Sequence, residues 1–173
     1  MSTLEDLRKE KDEFFRDHHQ SPLTAQEKRT FTGLHYYPEN PSLTLQLPLE
    51  KLETPRPVVL QTSTGDAREF LHAGQVRFQV GDDEAILQIY LDDYDGYFLP
   101  FIDATAPDET YGAGRYLEPH DLSGGIGNPY LLVDFNLAYN PYCAYNDIWS
   151  CPIPPRENRL KVRIEAGEKK FHD

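Results

Sequence analysis

The chain has 173 residues, enough for one domain that buries a core without disulfides or a metal. Its net charge of −12 repels phosphate backbones and anionic headgroups, which argues against nucleic-acid and membrane-surface partners. Its 14 prolines and 11 tyrosines favour strands, turns and fixed loops over long helices.

The first 20 residues are too charged for a signal peptide, and no apolar run reaches the ~20 residues that span a bilayer. A cytoplasmic protein with two free thiols, Cys143 and Cys151, is expected. Ser2 and Glu5 form a capping-box pattern ahead of a helical stripe of Leu4, Leu7, Phe14 and Phe15, so a helix is predicted from about Thr3 to His18. Thr24 and Glu27 repeat the pattern, and a short helix is predicted from Ala25 to Thr30, separated from the first by Pro22. Residues 1–30 thus read as a helical arm.

Beyond it the period becomes two. Leu43, Leu45, Leu47 and Leu49 alternate with polar residues and Pro48, as in a half-buried edge strand. Residues 58–62 and 70–72 read as two short strands. Val76, Phe78 and Val80 alternate, Gly81-Asp82-Asp83 turns the chain, and Ala85, Leu87, Ile89 and Leu91 alternate back, predicting a hairpin over 75–91. Residues 97–102 and 131–135 read as strands. Residues 104–129 lack periodicity, 140–155 are broken by prolines, and Leu160, Val162 and Ile164 alternate in a final strand ended by Gly167. No helical pattern follows Thr30, which excludes a doubly wound parallel sheet. The expected architecture is a single mainly β domain, an antiparallel β-sandwich or small barrel over residues 40–170, with the N-terminal arm packed at one end.

Several patterns fail as motifs. Gly112-Ala113-Gly114 is followed by Leu117 and Pro119 where a dinucleotide fingerprint needs a small residue and a helix, so no cofactor is expected. Asp92-Asp93-Tyr94-Asp95-Gly96 is too short for a calcium loop and reads as a solvated turn. Arg156, Arg159, Lys161 and Arg163 read as solvated cations along a strand rather than a nucleic-acid patch. Cys143 and Cys151 stand eight apart, wide for a zinc pair, and no metal site is expected.

What remains is concentrated. Arg115 can fork an internal carboxylate, such as Asp103 or Asp134, or that of a ligand. Residues 134–146 gather a carboxylate, three amides, three phenols and a thiol. They suit a buried polar network or a small polar-ligand pocket, for a sugar or carboxylate, lined by Arg115, Tyr116, Asp134, Asn136, Tyr139 and Asn140. The rival is hydrolase-type chemistry, with Cys143 as nucleophile, His120 as base and Asp134 as orienter, or with Asp134 and Glu165 as an acid–base pair. A thiol redox or zinc site at Cys143 and Cys151 is the third reading. Nothing in the sequence fixes an oligomeric state.

Long stretches are similar to a known family. The run LVDFNLAYNPYCAYNDIWSCPIPPRENRLKVRIEAGEK over 132–169, with residues 101–105, 110–117, 21–23 and 31–38, resembles the bacterial and archaeal family catalogued as domain of unknown function 1684. The resemblance implies a cytoplasmic or sometimes exported protein. It places Arg115, Tyr116, Asp134, Asn136, Tyr139, Asn140, Cys143, Cys151, Asn158 and Glu165 in signature stretches. It carries no catalytic assignment.

Overall fold

The N-terminal helix is capped one residue later than its sequence pattern suggested. In the computed structural model, which describes residues 3–94 and 96–173, helix α1 (Leu4–Asp17) is capped by Thr3. The Thr3 hydroxyl accepts the Asp6 N–H at 3.1 Å, and the Asp6 carboxylate accepts the Thr3 N–H at 3.0 Å. The Ser2 cap expected from the sequence lies outside the described residues. Helix α2 (Ala25–Thr30) has the expected box, Thr24 with Glu27. Phe15 is the buried anchor of α1 and meets Tyr145 edge-on at 4.8 Å, in a cluster with Leu23 and Leu34. Leu7, assigned to the same stripe, stays exposed.

The body is two antiparallel sheets, not a closed barrel. One contains β1 (Thr44–Pro48), β8 (Tyr130–Asp134) and β7 (His120–Asp121), with β8 in the centre. The other runs in order β2 (Glu50–Gln61), β3 (Ala67–Val80), β4 (Asp83–Leu91), β5 (Tyr97–Phe101) and β6 (Arg115–Leu117). In this larger sheet, neighbours in sequence are neighbours in space, β2 to β5 being joined by turns and β5 to β6 by residues 102–114. The core combines Val76, Phe78, Leu87, Ile89, Leu99 and Phe101 of the larger sheet with Leu131 and Val133 of β8, and adds Phe135 and Ile164. Fully burying a side chain such as Leu87 or Ile89 contributes roughly 1.5–3 kcal/mol.

The predicted 75–91 hairpin is β3–β4, closing at Val80 opposite Asp83. β2 and β3 run far past the short strands expected at 58–62 and 70–72. Both carry register shifts, between Lys51 and Arg56 in β2 and between His72 and Gly74 in β3, which let the ladder continue through prolines and a glycine. Pro57 is tolerated because β2 is an edge. The Gln61 carbonyl accepts the Ile153 N–H at 2.7 Å while the Thr62 N–H bonds back to Asp66 across the β2–β3 turn. Residues of Gln61's parity therefore face away from β3, and Pro57 has no N–H to lose to the ladder.

Residues 160–164 do not form the predicted strand. They lie extended beside residues 102–104, joined by Leu160 N–H to the Ile102 carbonyl at 2.7 Å and Ala104 N–H to the Val162 carbonyl at 2.9 Å. Their alternation aims Ile164 into the core without a ladder. The aperiodic stretch 104–129 contains β6 and β7, two strands too short to show a period.

Gly114 enters β6 at a φ of +97°, and an added Cβ would sit 2.5 Å from the Phe101 carbonyl oxygen. Gly114→Ala is expected to cost at least about 2 kcal/mol, read as a lowered denaturation midpoint. An unchanged midpoint would show that β6 can shift away from β5.

Candidate functional site

The six residues expected to line a ligand pocket do not share one cavity: Arg115 and Asn140 meet at Glu168, Asp134 and Asn136 bond each other, and Tyr116 and Tyr139 meet edge-on at 5.8 Å. Arg115 on β6 is 1% exposed. Its guanidinium donates to the carbonyls of Ile164 at 3.0 Å, Ala166, and Glu168 at 3.1 Å, and to the Asp103 carboxylate at 3.3 Å. Asp103 also accepts the Ile164 N–H at 2.7 Å and the Thr105 hydroxyl at 2.8 Å. Burial pulls the guanidinium below its ordinary pKa, and Asp103 opposes that pull. Arg115 therefore clamps the C-terminal segment, and Asp103 is its internal carboxylate.

Asn140 donates to the Glu168 carboxylate at 2.8 Å and to the Lys169 carbonyl at 3.0 Å. Glu168 is fully buried and also takes the Tyr145 hydroxyl and the Lys11 ammonium, the latter at 2.6 Å. Burial raises its carboxyl pKa, and Lys11 opposes the rise. This carboxylate joins α1, the 140–145 segment and the C-terminal segment.

Asp134 and Asn136 meet in another network. Asn136 lies in a 3-10 turn (Phe135–Leu137) capped by Asp134, not on a continued strand. The Asp134 carboxylate accepts from the Thr44 hydroxyl at 3.1 Å and the Asn136 side chain at 2.9 Å. Asn136 in turn pairs with the Asn40 backbone, accepting its N–H at 2.7 Å and donating to its carbonyl at 3.0 Å. The Tyr116 hydroxyl donates to the Pro152 carbonyl, and the Tyr139 hydroxyl donates to Glu118 at 2.9 Å.

Asp134 and Tyr139 line a depression of about 170 Å³ with His120. Asn136 and Tyr139 border a hollow of about 70 Å³ beneath α1. Arg115, Tyr116 and Asn140 line neither. Among the described residues, the Asn140 side-chain oxygen and Arg115 Nε are the atoms of these six that are buried without a partner.

The acid–base candidates are also apart. Glu165 is exposed and bonds Arg163 at 3.1 Å, sharing neither a partner nor one of these cavities with Asp134. In the Asp92 turn, the carboxylate accepts the N–H groups of Tyr94 and Gly96, each at 2.9 Å, as a self-capped turn does. Asp95 lies outside the described residues.

Cys143 is in a different setting. It sits in the 3-10 turn Tyr142–Ala144, half-buried in the wall of a cleft of about 640 Å³. Tyr111, Gly112, Tyr145, Lys170 and His172 line the same cleft. Behind it, Cys151 is buried, and its Sγ accepts the Cys143 N–H at 3.3 Å. The Tyr111 hydroxyl donates to Cys143 Sγ at 3.6 Å. The neighbouring Cys151 thiol and the Tyr111 hydroxyl bring the Cys143 thiol down to about 6 against the opposing effect of burial. Cys151 is pushed up, first by its interaction with Cys143 and then by burial.

His120, the expected base, is exposed on β7 beside Asp134 and lines the small depression, not the cleft of Cys143. The Cys143–His120–Asp134 arrangement is not assembled. Among the described residues, no group of three or more His, Cys, Asp or Glu is placed to hold a metal. The sequence did not connect Cys143 with Tyr111, which bonds its sulfur, or with Ser63, whose hydroxyl accepts the Cys151 N–H and donates to the Trp149 carbonyl. They lie 32 and 80 residues from Cys143, and no local spacing connects them.

Fold and site together define a two-sheet antiparallel β protein with a helical arm and a hydrogen-bonded thiol pair facing a cleft. The chain belongs to the family described as protein of unknown function DUF1684, whose sequence model matches residues 29–169. A solution NMR structure of an uncharacterised protein of Haloarcula marismortui is 36% identical, with a TM-score of 0.73 over 96% of this chain and 91% of that one. A search of curated proteins finds no significant match. Among the described residues, no helix is long and apolar enough to cross a membrane.

Proposed function

We propose that the protein acts through a reactive thiolate at Cys143 on a small polar molecule bound in the adjoining cleft. The observation that carries this reading is the placement of Cys143. It lines the 640 Å³ cleft, its sulfur accepts from the Tyr111 hydroxyl, and Cys151 Sγ accepts its backbone N–H. A thiolate is the nucleophilic form, and donors that favour it at neutral pH are what a working cysteine requires. A cytoplasmic setting, expected from the sequence, would keep both thiols reduced.

The polar-ligand reading keeps its place here but changes its lining. Lys170 and His172 border the cleft and can meet a carboxylate or hydroxyl, whereas Arg115, Asp134 and Asn136 spend their polar atoms on the fold. The test is mass-resolved labelling with iodoacetamide at neutral pH. Cys143 is expected to alkylate about twofold faster than a free thiol such as glutathione, its larger thiolate fraction outweighing the lower nucleophilicity of a lower-pKa sulfur, with Cys151 far slower. Labelling of Cys143 at or below the free-thiol rate would overturn the proposal.

A further inference from the structure

Resting on that reading, we infer that Cys143 and Cys151 are an attacking and a resolving thiol, and that the substrate class is a small hydroperoxide. The groups on Cys143 decide among thiol reactions. The Tyr111 hydroxyl donates to Cys143 Sγ at 3.6 Å, and the buried Cys151 thiol stands directly behind, its Sγ 3.3 Å from the Cys143 backbone nitrogen. The histidine that lines the cleft, His172, places Nε2 3.0 Å from the Tyr145 carbonyl and 3.7 Å from Glu27. Acyl transfer needs a base that first takes a proton and then returns it to the leaving group. Attack on a peroxide needs a thiolate already formed and one proton for the departing oxygen. The second reaction fits this donor set.

The balance closes within the site. The Cys143 thiolate attacks the terminal peroxide oxygen, the S–O bond forms and the O–O bond breaks. Cys143 is oxidised by two electrons to the sulfenic acid, and the hydroperoxide is reduced to an alkoxide. The alkoxide takes the proton that Cys151 holds and leaves as the alcohol. Cys151, now a thiolate, attacks Cys143 sulfur. The S–S bond forms, the S–O bond breaks, and hydroxide leaves to become water with a proton from solvent. A dithiol reductant returns the pair to its starting state.

The geometry suits the second step as well. Cys151 Sγ already faces the Cys143 backbone at 3.3 Å, and Cys143 stands on a single 3-10 turn. Cys151 is buried, so it reaches the Cys143 sulfur rather than an external oxidant.

The experiment treats the reduced full-length chain with one equivalent of hydrogen peroxide and, separately, of glutathione disulfide. With peroxide, loss of both thiols, a mass decrease of two hydrogens and recovery with dithiothreitol are expected, at least about tenfold faster than oxidation of free cysteine. Cys151→Ser is expected to stop at a sulfenic acid on Cys143 that dimedone traps, while Cys143→Ser leaves Cys151 unoxidised at the free-thiol rate. Rapid alkylation of Cys143 with peroxide oxidation no faster than that of free cysteine would overturn this inference and leave the thiolate reading standing. Slow alkylation together with slow oxidation would overturn both. Oxidation by glutathione disulfide but not by peroxide would also overturn the substrate class.

Discussion

Replacing Arg115 with alanine is expected to remove more than about 3 kcal/mol of folding stability, because it leaves Asp103 buried without its counter-charge and strips three carbonyls of their donor. The carbonyls belong to Ile164, Ala166 and Glu168, alternate residues of a segment that has no strand ladder. The guanidinium therefore supplies the hydrogen bonds that a neighbouring strand would otherwise supply. Arg115→Lys should rescue little, since one ammonium cannot reach three carbonyls and a carboxylate with the planar fork of arginine. Urea titration would read both as lowered midpoints. A change of less than 1 kcal/mol in the alanine variant, on the order of an exposed ion pair, would show that the clamp contributes little.

Glu168→Ala is expected to have an effect of similar size and a more specific signature. The carboxylate accepts from Lys11, Asn140 and Tyr145, which come from α1 and from the segment that precedes and carries the Cys143 turn. Removing it leaves the Asn140 and Tyr145 donors buried and unpaired at about 1–3 kcal/mol each. It also frees the Lys11 ammonium, which is 28% exposed and can turn to solvent. The amides of α1 should then exchange hydrogen faster than those of β3 and β4, and Glu168→Gln, which retains an acceptor, should lie between wild type and alanine. Uniform loss of protection across the molecule would instead make Glu168 a support of the whole fold rather than of the arm's docking.

These two side chains also show where sequence reading ends. The arm was legible because capping boxes are local. Thr24 and Glu27 are three apart, and the same spacing recurs at Thr3 and Asp6, although Ser2 and Glu5 offered an equally good pattern one residue earlier. The β3–β4 hairpin was legible because Val76, Phe78, Leu87 and Ile89 alternate around a tight turn and point into one core. β2 was cut short in prediction because Pro55 and Pro57 read as breaks, whereas an edge strand accepts proline on its free side. Residues 160–164 misled in the opposite way. Their alternation is set by a buried face, and a buried face does not require a ladder.

The site was partly legible for the same reason. Asp103 was a correct guess as the partner of Arg115, drawn from the fork chemistry of arginine in a buried turn. That Asn136 closes onto Asn40, or that Asn140 reaches Glu168, depends on contacts across 96 and 28 residues that no local pattern encodes. The density of polar side chains in 134–146 does not by itself separate a structural network from a pocket. Most of those groups hold irregular backbone together, as 14 prolines require of a chain that cannot satisfy itself with ladders. Cys143 differs from them in bringing a thiol, with a second thiol behind it, to the wall of the cleft.

The charge on Cys143 is the centre of the functional reading. Spectroscopic titration of the thiolate ultraviolet absorbance, on the reduced full-length chain, measures it directly. One thiol should ionise with a midpoint near 6, and the second should stay protonated well past the range of an ordinary thiol. Cys143→Ser should abolish the low-pH transition. Two thiols that both ionise near ~8.5, the ordinary cysteine value, would contradict the reading of Cys143 as a resting thiolate.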